Sequence, residues 1–217
     1  MQTPDMPTNG TEAPGANDTT AARLLKTAAA LFREKGYAHS TTRELATLLG
    51  IQKASLYYHI DKKEDLLYAL CVDALARIQQ EGEQAVAQQS APLERLRALV
   101  HAHLRAALSD RDKHATMLIE LRELSGERRT EVLHMRDRYE AFVREVIREA
   151  QEAGALRADP PAKYQGLALL NLLNWTIFWF RPGGDLTPDQ LADMLTTLFL
   201  EGVASHAPAP IEPLQEK

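Results

Sequence analysis

Along most of the chain, apolar residues recur every three to four positions, the spacing that places them on one face of an α-helix. The first such stretch covers about residues 18–35 and ends at Gly36, which can take the left-handed conformation of a helix C-cap. Later stretches with the same pattern predict helices at about residues 92–109, 112–124, 128–153, 161–181 and 187–205. No alternation typical of strands competes with this pattern, so we expect an all-α fold.

Two short helices separated by a tight turn are predicted after the first long helix. Thr41 and Glu44 have the spacing of a capping box, which predicts a helix start, and Gly50 ends that helix. The second short helix covers roughly residues 53–60. Capping boxes predict two further helix starts, formed by Asp61 with Glu64 and by Thr187 with Gln190.

The two short helices meet the requirements of a helix-turn-helix, whose second helix enters the major groove of DNA. This motif needs a small residue where the helices cross, a glycine or similar residue at the turn, and an apolar anchor in the second helix. These places are filled by Ala46, Gly50, Ile51 and Leu56. Taken alone, the same spacing also fits two ordinary short helices of a protein core.

The start of the second short helix carries side chains that suit base edges: lysine for guanine, glutamine for adenine and the alanine methyl for thymine. The candidate base-reading residues are Gln52, Lys53, Ala54 and Ser55. The residues that we expect to contact phosphates are Thr42, Tyr57, Tyr58, His59 and Lys63. A core position is an equally good interpretation of Tyr57, because tyrosine often buries its ring and exposes its hydroxyl.

Charge is distributed unevenly along the chain, although its 217 residues sum to only −5 at pH 7. Residues 21–70 carry eight Lys or Arg against five Asp or Glu, a balance of +3. Residues 71–217 carry seventeen against twenty-two, a balance of −5. A modestly basic segment beside an acidic one suits a DNA-binding head on a body that makes no contact with phosphate.

Several classes of function find no support in the sequence. The single cysteine, Cys71, indicates a reducing compartment and hence the cytoplasm, and neither a signal peptide nor a membrane-spanning stretch is expected. His101 and His103 lie two residues apart without further ligands at metal spacing, so we expect no metal site. No nucleophile is paired with a base and no glycine loop follows a strand, so we expect neither an enzyme nor a bound cofactor.

The DNA-binding segment resembles the signature of the TetR family of transcriptional regulators. The resemblance covers about residues 20–67 and matches three runs as one unit, Thr41 to Ala46, Gly50 to His59 and Lys62 to Leu67. Ile60 departs from the family, whose members often have Phe there; because the position stays apolar, we expect altered packing and retained DNA binding. The resemblance implies a homodimer that binds double-stranded operator DNA.

The rest of the chain is similar to one branch of that family, which includes regulators of sterol and fatty-acid breakdown that respond to acyl-CoA thioesters. The similar runs are Glu120 to Ser125 and Asn174 to Gly184. The resemblance implies that the helices at 161–181 and 187–205 form a four-helix dimer interface and that the effector enters the larger domain. Members often carry Arg between the two tryptophans, where this chain has Ile and Phe, so an anion contact does not carry over there.

The candidate effector-binding residues in and near these runs are Trp175, Trp179, Arg181 and Arg122. The two tryptophans lie four positions apart on one helical face, which favours core or dimer-interface anchors, with a stacking surface for an adenine or acyl chain as the alternative. Arg181 can contact a CoA phosphate or satisfy the last carbonyls of its helix. For Arg122 a surface ion pair with a nearby glutamate is favoured over a ligand contact.

Together, these features predict an N-terminal three-helix helix-turn-helix domain at residues 17–67 and a C-terminal helical effector-binding and dimerisation domain at residues 68–205. The polar segments 1–16 and 206–217 are predicted to be disordered. The predicted function is a ligand-responsive repressor that a small molecule, such as an acyl-CoA thioester, releases from its operator. The alternative is an all-α protein-interaction bundle that does not bind nucleic acid.

Overall fold

The computed structural model describes residues 20–201, and the regular structure in that range is entirely helical, which confirms the all-α prediction. The helices are α1 (Thr20–Lys35), α2 (Thr42–Leu49), α3 (Lys53–Leu56), α4 (Lys63–Ala87), α5 (Pro92–Ser109), α6 (Arg111–Glu120), α7 (Gly126–Glu152), α8 (Ala162–Asn174), α9 (Thr176–Trp179) and α10 (Pro188–Glu201). A 3₁₀ turn, Leu121–Glu123, follows α6. Both tails predicted to be disordered, 1–16 and 206–217, lie outside the described residues.

Helices α1, α2 and α3 pack around the N-terminal half of α4 and enclose one apolar core. Phe32, Leu45, Leu56 and Leu67, one from each helix, are almost completely buried there. Burying side chains of this size stabilises the fold by roughly 1.5–3 kcal/mol each. The short helix α3 is therefore anchored on an apolar base although it has only four residues.

The predicted caps of α2 and α10 are confirmed. Thr41 Oγ1 accepts a hydrogen bond from the backbone N–H of Glu44 at 3.1 Å, and the Glu44 carboxylate accepts one from the N–H of Thr41 at 2.9 Å. Gly50 ends α2 with a φ of 68°, a conformation that glycine adopts without steric cost. At the start of α10, Thr187 and Gln190 bind each other's backbone N–H in the same way.

The start of α4 differs from the prediction, which paired Asp61 with Glu64. The capping carboxylate is that of Asp65, which accepts hydrogen bonds from the backbone N–H groups of Asp61 and Lys62, both at 2.8 Å. Glu64 binds instead to the N–H and the hydroxyl of Ser125, each at 2.9 Å. A hydrogen bond from Lys62, followed by those from Ser125, lowers the pKa of Glu64 to about 2. Glu64 therefore ties α4 to the start of α7.

The second helix of the motif is α-helical only over Lys53–Leu56, which is shorter than the predicted 53–60. The following backbone tightens, because the N–H groups of Tyr58 and His59 bind carbonyls three residues back instead of four. Ile60 then enters the core of the head and is 6% exposed. Ile60 therefore keeps this position of the core apolar.

The C-terminal half of α4 packs with α5, α7, α8 and α10 around a second apolar core. Gly82 allows α4 to approach its neighbours closely, since a Cβ atom at this position would lie 3.3 Å from side-chain atoms of Leu99 and of Phe142. Leu96, on α5, is completely buried beside them. This second core forms the body that carries the head.

The helix predicted at 161–181 is divided into α8 and α9. The hydroxyl of Thr176 donates to the carbonyl of Leu173 at 2.6 Å and so competes with the helical hydrogen bonds of the backbone. Arg111, on α6, donates to the carbonyl of Ile177 at 2.5 Å. The hydroxyl bond of Thr176 accounts for the interruption at Trp175, whereas Arg111 holds the carbonyl end of α9, where the helix stops at Trp179.

Candidate nucleic-acid interface and internal cavity

The predicted base-reading residues lie together on an exposed edge of the head. The exposed residues at the start of α3 are Gln52, Lys53, Ala54 and Ser55. At the other end of the same segment, Tyr58 is 90% exposed and His59 is also exposed. Large aromatic side chains are seldom left this open without a partner. The edge has the width of one helix, which the major groove of B-DNA admits.

Tyr57 and Thr42 join the two helices of the motif. The hydroxyl of Tyr57 lies 3.4 Å from Oγ1 of Thr42, and this hydrogen bond is the main cause that lowers the pKa of Tyr57. The ammonium of Lys53 lies 5.7 Å from the centroid of the Tyr57 ring. Because Tyr57 is 45% exposed, its ring is not a core aromatic. The ring lies beneath the ammonium of Lys53 and remains open to solvent.

The ammonium of Lys63, which was predicted to contact phosphate, is held within the chain. It donates to the backbone carbonyls of Tyr37 and Ser40 at 2.7 and 2.8 Å, and it lies 4.1 Å from the centroid of the Tyr37 ring. Burial is the main cause that lowers the pKa of Lys63. Two of its three N–H donors are thus occupied, and Lys63 fixes the α1–α2 loop on α4.

An internal cavity of about 320 Å³ lies in the body, between α4, α5, α6, α7 and α8. Its apolar lining consists of Leu75, Ile78, Met117, Leu118, Leu167 and Leu170. Its polar lining consists of His103, His114, Arg136, Tyr139, Glu140, Asn171 and Asn174. Apolar walls with a few polar groups are typical of small-molecule sites, and the volume is at the small end of their range.

A larger and more open groove, of about 1060 Å³, runs along α7. All of its lining residues, from Gly126 to Ala141, belong to α7 itself. Among the described residues no second element lines this groove, so it offers less burial to a ligand than the cavity, which is only partly open to solvent. The cavity is therefore the better candidate for an effector site.

Buried polar side chains form two hydrogen-bonded pairs in the wall of the cavity. Nδ1 of His103 lies 2.9 Å from the hydroxyl of Tyr139, and Nε2 of His114 lies 3.2 Å from Oδ1 of Asn174. The two imidazole rings meet edge to face, with centroids 5.9 Å apart. Nε2 of His103 is buried but has no hydrogen-bond partner among the described residues.

Burial keeps these imidazoles neutral. Loss of solvation, with a smaller contribution from the neighbouring His114, lowers the pKa of His103 to about 3, although an interaction with the side chain of Asn174 acts in the opposite direction. Loss of solvation also lowers the pKa of His114 to about 4, although the hydrogen bond with Asn174 acts in the opposite direction. Burial raises the pKa of Tyr139, so its phenol keeps its proton. The cavity wall is therefore polar but uncharged where these side chains meet.

None of the four predicted effector-binding residues lines this cavity. Trp175 and Trp179 are 66% and 46% exposed, at the junction where α8 gives way to α9, so they are not core anchors. Arg181 is exposed beyond α9. Arg122 lies in the exposed 3₁₀ turn with its guanidinium 3.7 Å from the carboxylate of Glu123, as the ion-pair interpretation expects.

Arg33 connects the head to the elements around the cavity. Its guanidinium lies 3.0 Å from the carboxylate of Asp112 and 3.4 Å from the carbonyl of Ile177. Nearby, the hydroxyl of Thr116 donates to the carbonyl of Ala29 at 3.2 Å. Helix α1 of the head is therefore bonded to α6, which lines the cavity, and to α9, which follows α8.

Sequence patterns do not by themselves single out the cavity residues. The available signal is that His103 falls on the apolar face of α5, three residues after Val100 and four after Leu99, which are both buried. A polar residue at such a position needs a hydrogen-bond partner inside the protein or on a ligand. The hydrogen-bond partners of the two cavity histidines, Tyr139 for His103 and Asn174 for His114, come from other helices, so their proximity appears only in the fold.

Within residues 20–201, no group of three or more His, Cys, Asp or Glu residues is arranged to hold a metal ion. In the same range, no helix is long and apolar enough to cross a membrane. Cys71 is buried, and burial raises the pKa of its thiol to about 12. A thiol in such surroundings is a poor nucleophile.

Two family models match the chain, one for each part. The model described as bacterial regulatory proteins of the tetR family matches residues 24–70, which include the helix-turn-helix. The model described as the tetracyclin repressor-like C-terminal domain matches residues 89–203, more than half of the chain. The two matches cover both the exposed edge of α3 and most of the body that contains the cavity.

The chain is similar to the HTH-type transcriptional repressor KstR2 of Rhodococcus jostii RHA1, with 28% identity over 198 residues, 88% of this chain and 97% of the relative. It is also similar to the solved structure of the TetR family transcriptional regulator PfmR from Thermus thermophilus, with 37% identity, coverage of 84% and 99% of the two chains and a TM-score of 0.77. AibR, solved in complex with isovaleryl coenzyme A and operator DNA, is 27% identical, with coverage of 83% and 97% and a TM-score of 0.75. The chain therefore belongs to the TetR family, and it is a DNA-binding, ligand-responsive transcriptional repressor and not an enzyme or a bundle without nucleic acid.

Proposed function

We propose that the chain acts in the cytoplasm as a homodimeric repressor that an acyl-CoA thioester releases from its operator. The observation that carries the effector class is the likeness to AibR, whose structure holds isovaleryl coenzyme A and operator DNA together. The cavity supports it, because an apolar space of about 320 Å³ suits a small acyl group better than a whole coenzyme. The coenzyme part of the ligand would extend outside the cavity.

We assign DNA binding to residues 17–67 and effector binding with dimerisation to residues 68–205. Helix α4 crosses this boundary without interruption. Met117 and Leu121, from the effector-binding side, belong to the apolar core of the head. A ligand that moves α6 therefore acts on the packing of the head directly, and its effect on DNA binding cannot exceed its difference in affinity between the two conformations.

In the DNA complex, α3 enters the major groove, as the second helix of such motifs does. Base edges are read by Gln52, Lys53, Ala54 and Ser55. Phosphates are contacted by Thr42, Tyr57, Tyr58 and His59, while Lys63 positions the loop before α2. Two copies present their α3 helices about 34–36 Å apart, so that they meet successive major grooves of a near-palindromic operator.

The proposed dimer interface lies on α8, α9 and α10. These elements carry most of the exposed large apolar side chains outside the head, namely Tyr164, Trp175, Phe178, Trp179, Met194 and Leu198. Pairing of two such faces removes this apolar surface from water, which is the main driving force for association. The two tryptophans thus serve dimerisation in this proposal, and Arg181 and Arg122 stay outside the effector site.

Replacing Met194 and Leu198 together by arginine is expected to give a monomer at concentrations where the native protein is a dimer. Both side chains are exposed on α10, at 38% and 39%, so the folded protomer tolerates the change. In the interface, the new charges would be buried without partners, at a cost of several kcal/mol. Sedimentation velocity measures the outcome, with Ile119→Arg on α6, a residue 40% exposed, as the matched control. A double variant that remains dimeric would show that the dimer interface lies on other residues.

The effector proposal predicts that isovaleryl-CoA weakens operator binding at least tenfold, within the coupling of about 1–3 kcal/mol usual between two sites. The test is fluorescence anisotropy with the DNA upstream of the protein's own gene and a shuffled fragment, across a salt series. Free coenzyme A is the control ligand. Operator affinity that no acyl-CoA of any chain length alters would rule out this effector class. Equal, salt-sensitive binding to both fragments would mean either that the operator lies elsewhere or that the head does not read DNA sequence.

A further inference from the structure

We propose that Nε2–H of His103 donates a hydrogen bond to a neutral carbonyl oxygen of the ligand in the cavity. Because the cavity offers no counter-charge beside this donor, it selects thioesters, esters and ketones over free carboxylates. The inference rests on the proposed function, which places the acyl part of the effector in this cavity. It names the atom that recognises that part.

The first observation is an unmet hydrogen-bonding group. His103 is 1% exposed, and it lines the cavity. Its Nδ1 is engaged by the hydroxyl of Tyr139, whereas its Nε2 is buried without a partner among the residues that the structure describes. Buried polar groups in native proteins are nearly always hydrogen-bonded, so an exception beside an empty apolar space points to a partner that the chain itself does not supply.

The second observation fixes the atom as a donor. If the Tyr139 hydroxyl donates to Nδ1 of His103, the imidazole proton lies on Nε2, and this N–H is the one group left unpaired. If Nδ1–H donates instead, both the phenol proton and the Nε2 lone pair lack partners. The first arrangement leaves fewer unmet groups, so the cavity presents an N–H donor, and the ligand must supply an acceptor.

The third observation is that no positively charged side chain of the lining lies free beside this donor to balance an anion. His103 and its neighbour His114 are neutral. The cation that lines the cavity, Arg136, is exposed and lies 3.3 Å from the carboxylate of Asp137, and Glu140 adds a further acid to the lining. A carboxylate at His103 would lose its hydration without gaining a counter-charge, whereas a carbonyl oxygen loses little.

Two pairs of probes test this assignment. The first pair is isovaleryl-CoA and S-isoamyl-CoA, a thioether in which a methylene replaces the carbonyl. The second pair, without coenzyme A, is 4-methyl-2-pentanone and isovalerate. Affinities are measured by calorimetry for the first pair and by ligand-observed NMR for the second, with native protein, His103→Phe and His103→Gln.

We expect the native protein to prefer the thioester over the thioether by about tenfold, the effect of one buried hydrogen bond. It should likewise prefer the ketone over isovalerate. The preference for the thioester should vanish in His103→Phe and partly persist in His103→Gln, whose amide can still donate. The preference for the ketone over isovalerate should persist in both variants, because it reflects the missing counter-charge, while the affinity for the ketone itself should fall about tenfold in His103→Phe. The matched control is His101→Phe, the same change two residues away, where the imidazole lies 2.9 Å from Asp193 and outside the cavity lining. Ratios between two ligands are insensitive to a general loss of affinity or folding.

The outcomes separate this inference from the effector proposal. Ketone affinity that falls in His103→Phe and not in His101→Phe, without binding of either CoA compound, would uphold the role of His103 and reject the acyl-CoA effector. Thioester binding with the same preference in native protein and His103→Phe would uphold the effector and reject the role of His103. Preference for isovalerate, or no binding of any probe, would also reject the role of His103.

Discussion

Replacing Lys53 and Tyr58 together by alanine is expected to lower operator affinity by about 100-fold while the homodimer stays intact. Each specific contact to DNA contributes roughly 1–3 kcal/mol, so two lost contacts remove about 3 kcal/mol. Both side chains belong to the exposed edge of α3, and Tyr58 is 90% exposed, so little folding energy is lost with them. Fluorescence anisotropy measures the affinity, and the dependence on salt should become shallower as one cationic contact is lost.

The control for the lost charge is Arg97→Ala. Arg97 lies on α5, where its guanidinium makes a loose contact of 3.6 Å with the carboxylate of Glu94, so its removal changes net charge equally without touching the head. This variant should bind the operator as the native protein does. Unchanged operator binding by the Lys53→Ala, Tyr58→Ala protein would show that α3 is not the helix that reads DNA.

The features that the sequence predicts well are local in the chain. The reciprocal hydrogen bonds of Thr41 and Glu44 depend on a spacing of three residues, and the turn at Gly50 depends on one left-handed glycine. Burial of Leu56 follows from the helical period alone. Because each of these features needs only its neighbours in the chain, the helix-turn-helix and its exposed edge can be recognised before the fold is known.

The features that the sequence does not predict depend on distant partners. Asp65 caps α4 in place of Glu64, because Glu64 is engaged by Ser125 at the start of α7. The predicted helix at 161–181 stops early, at Trp179, where Arg111 binds the carbonyl of Ile177. The pattern around each position is compatible with either outcome, and a residue more than sixty positions away decides between them.

The cavity shows the same dependence more strongly. Its lining comes from five helices, and its hydrogen-bonded pairs join α5 to α7 and α6 to α8. The aromatic run around Trp175, for which the sequence favours core or dimer-interface anchors, is exposed on the protomer and lies outside the lining of the cavity. A polar residue on an otherwise apolar helical face, as at His103, is the sequence feature that points inward.

The two buried histidines also predict a large loss of stability in mild acid. The pKa values of His103 and His114 are about 3 and about 4 in the folded protein, against about 6.5 for an unfolded chain. Below pH 6.5 the unfolded chain therefore takes up protons that the folded protein cannot accept, and unfolding becomes more favourable as the pH falls. The full contribution to stability is present above about pH 7.

The free energy of unfolding is lower at pH 5 than at pH 7.5 by about 2 kcal/mol for each histidine that stays neutral in the folded protein, and by about 4 kcal/mol for the two together. This is a large share of the 5–15 kcal/mol typical of a folded domain. Carboxylates with lowered pKa values, such as that of Glu64, contribute to acid unfolding only below their own unfolded pKa of about 4.3, so the window from pH 7 to pH 5 belongs to the histidines.

Urea unfolding at pH 7.5 and pH 5, at one fixed protein concentration because dimerisation adds to apparent stability, measures the difference. The native protein should lose about 4 kcal/mol between the two conditions. The double variant His103→Gln, His114→Gln should start less stable and lose far less, while His39→Gln, at an exposed position, should behave as the native protein. If the native protein were equally stable at both pH values, the two imidazoles would have to accept protons in the folded state, and the cavity would carry charge in mild acid.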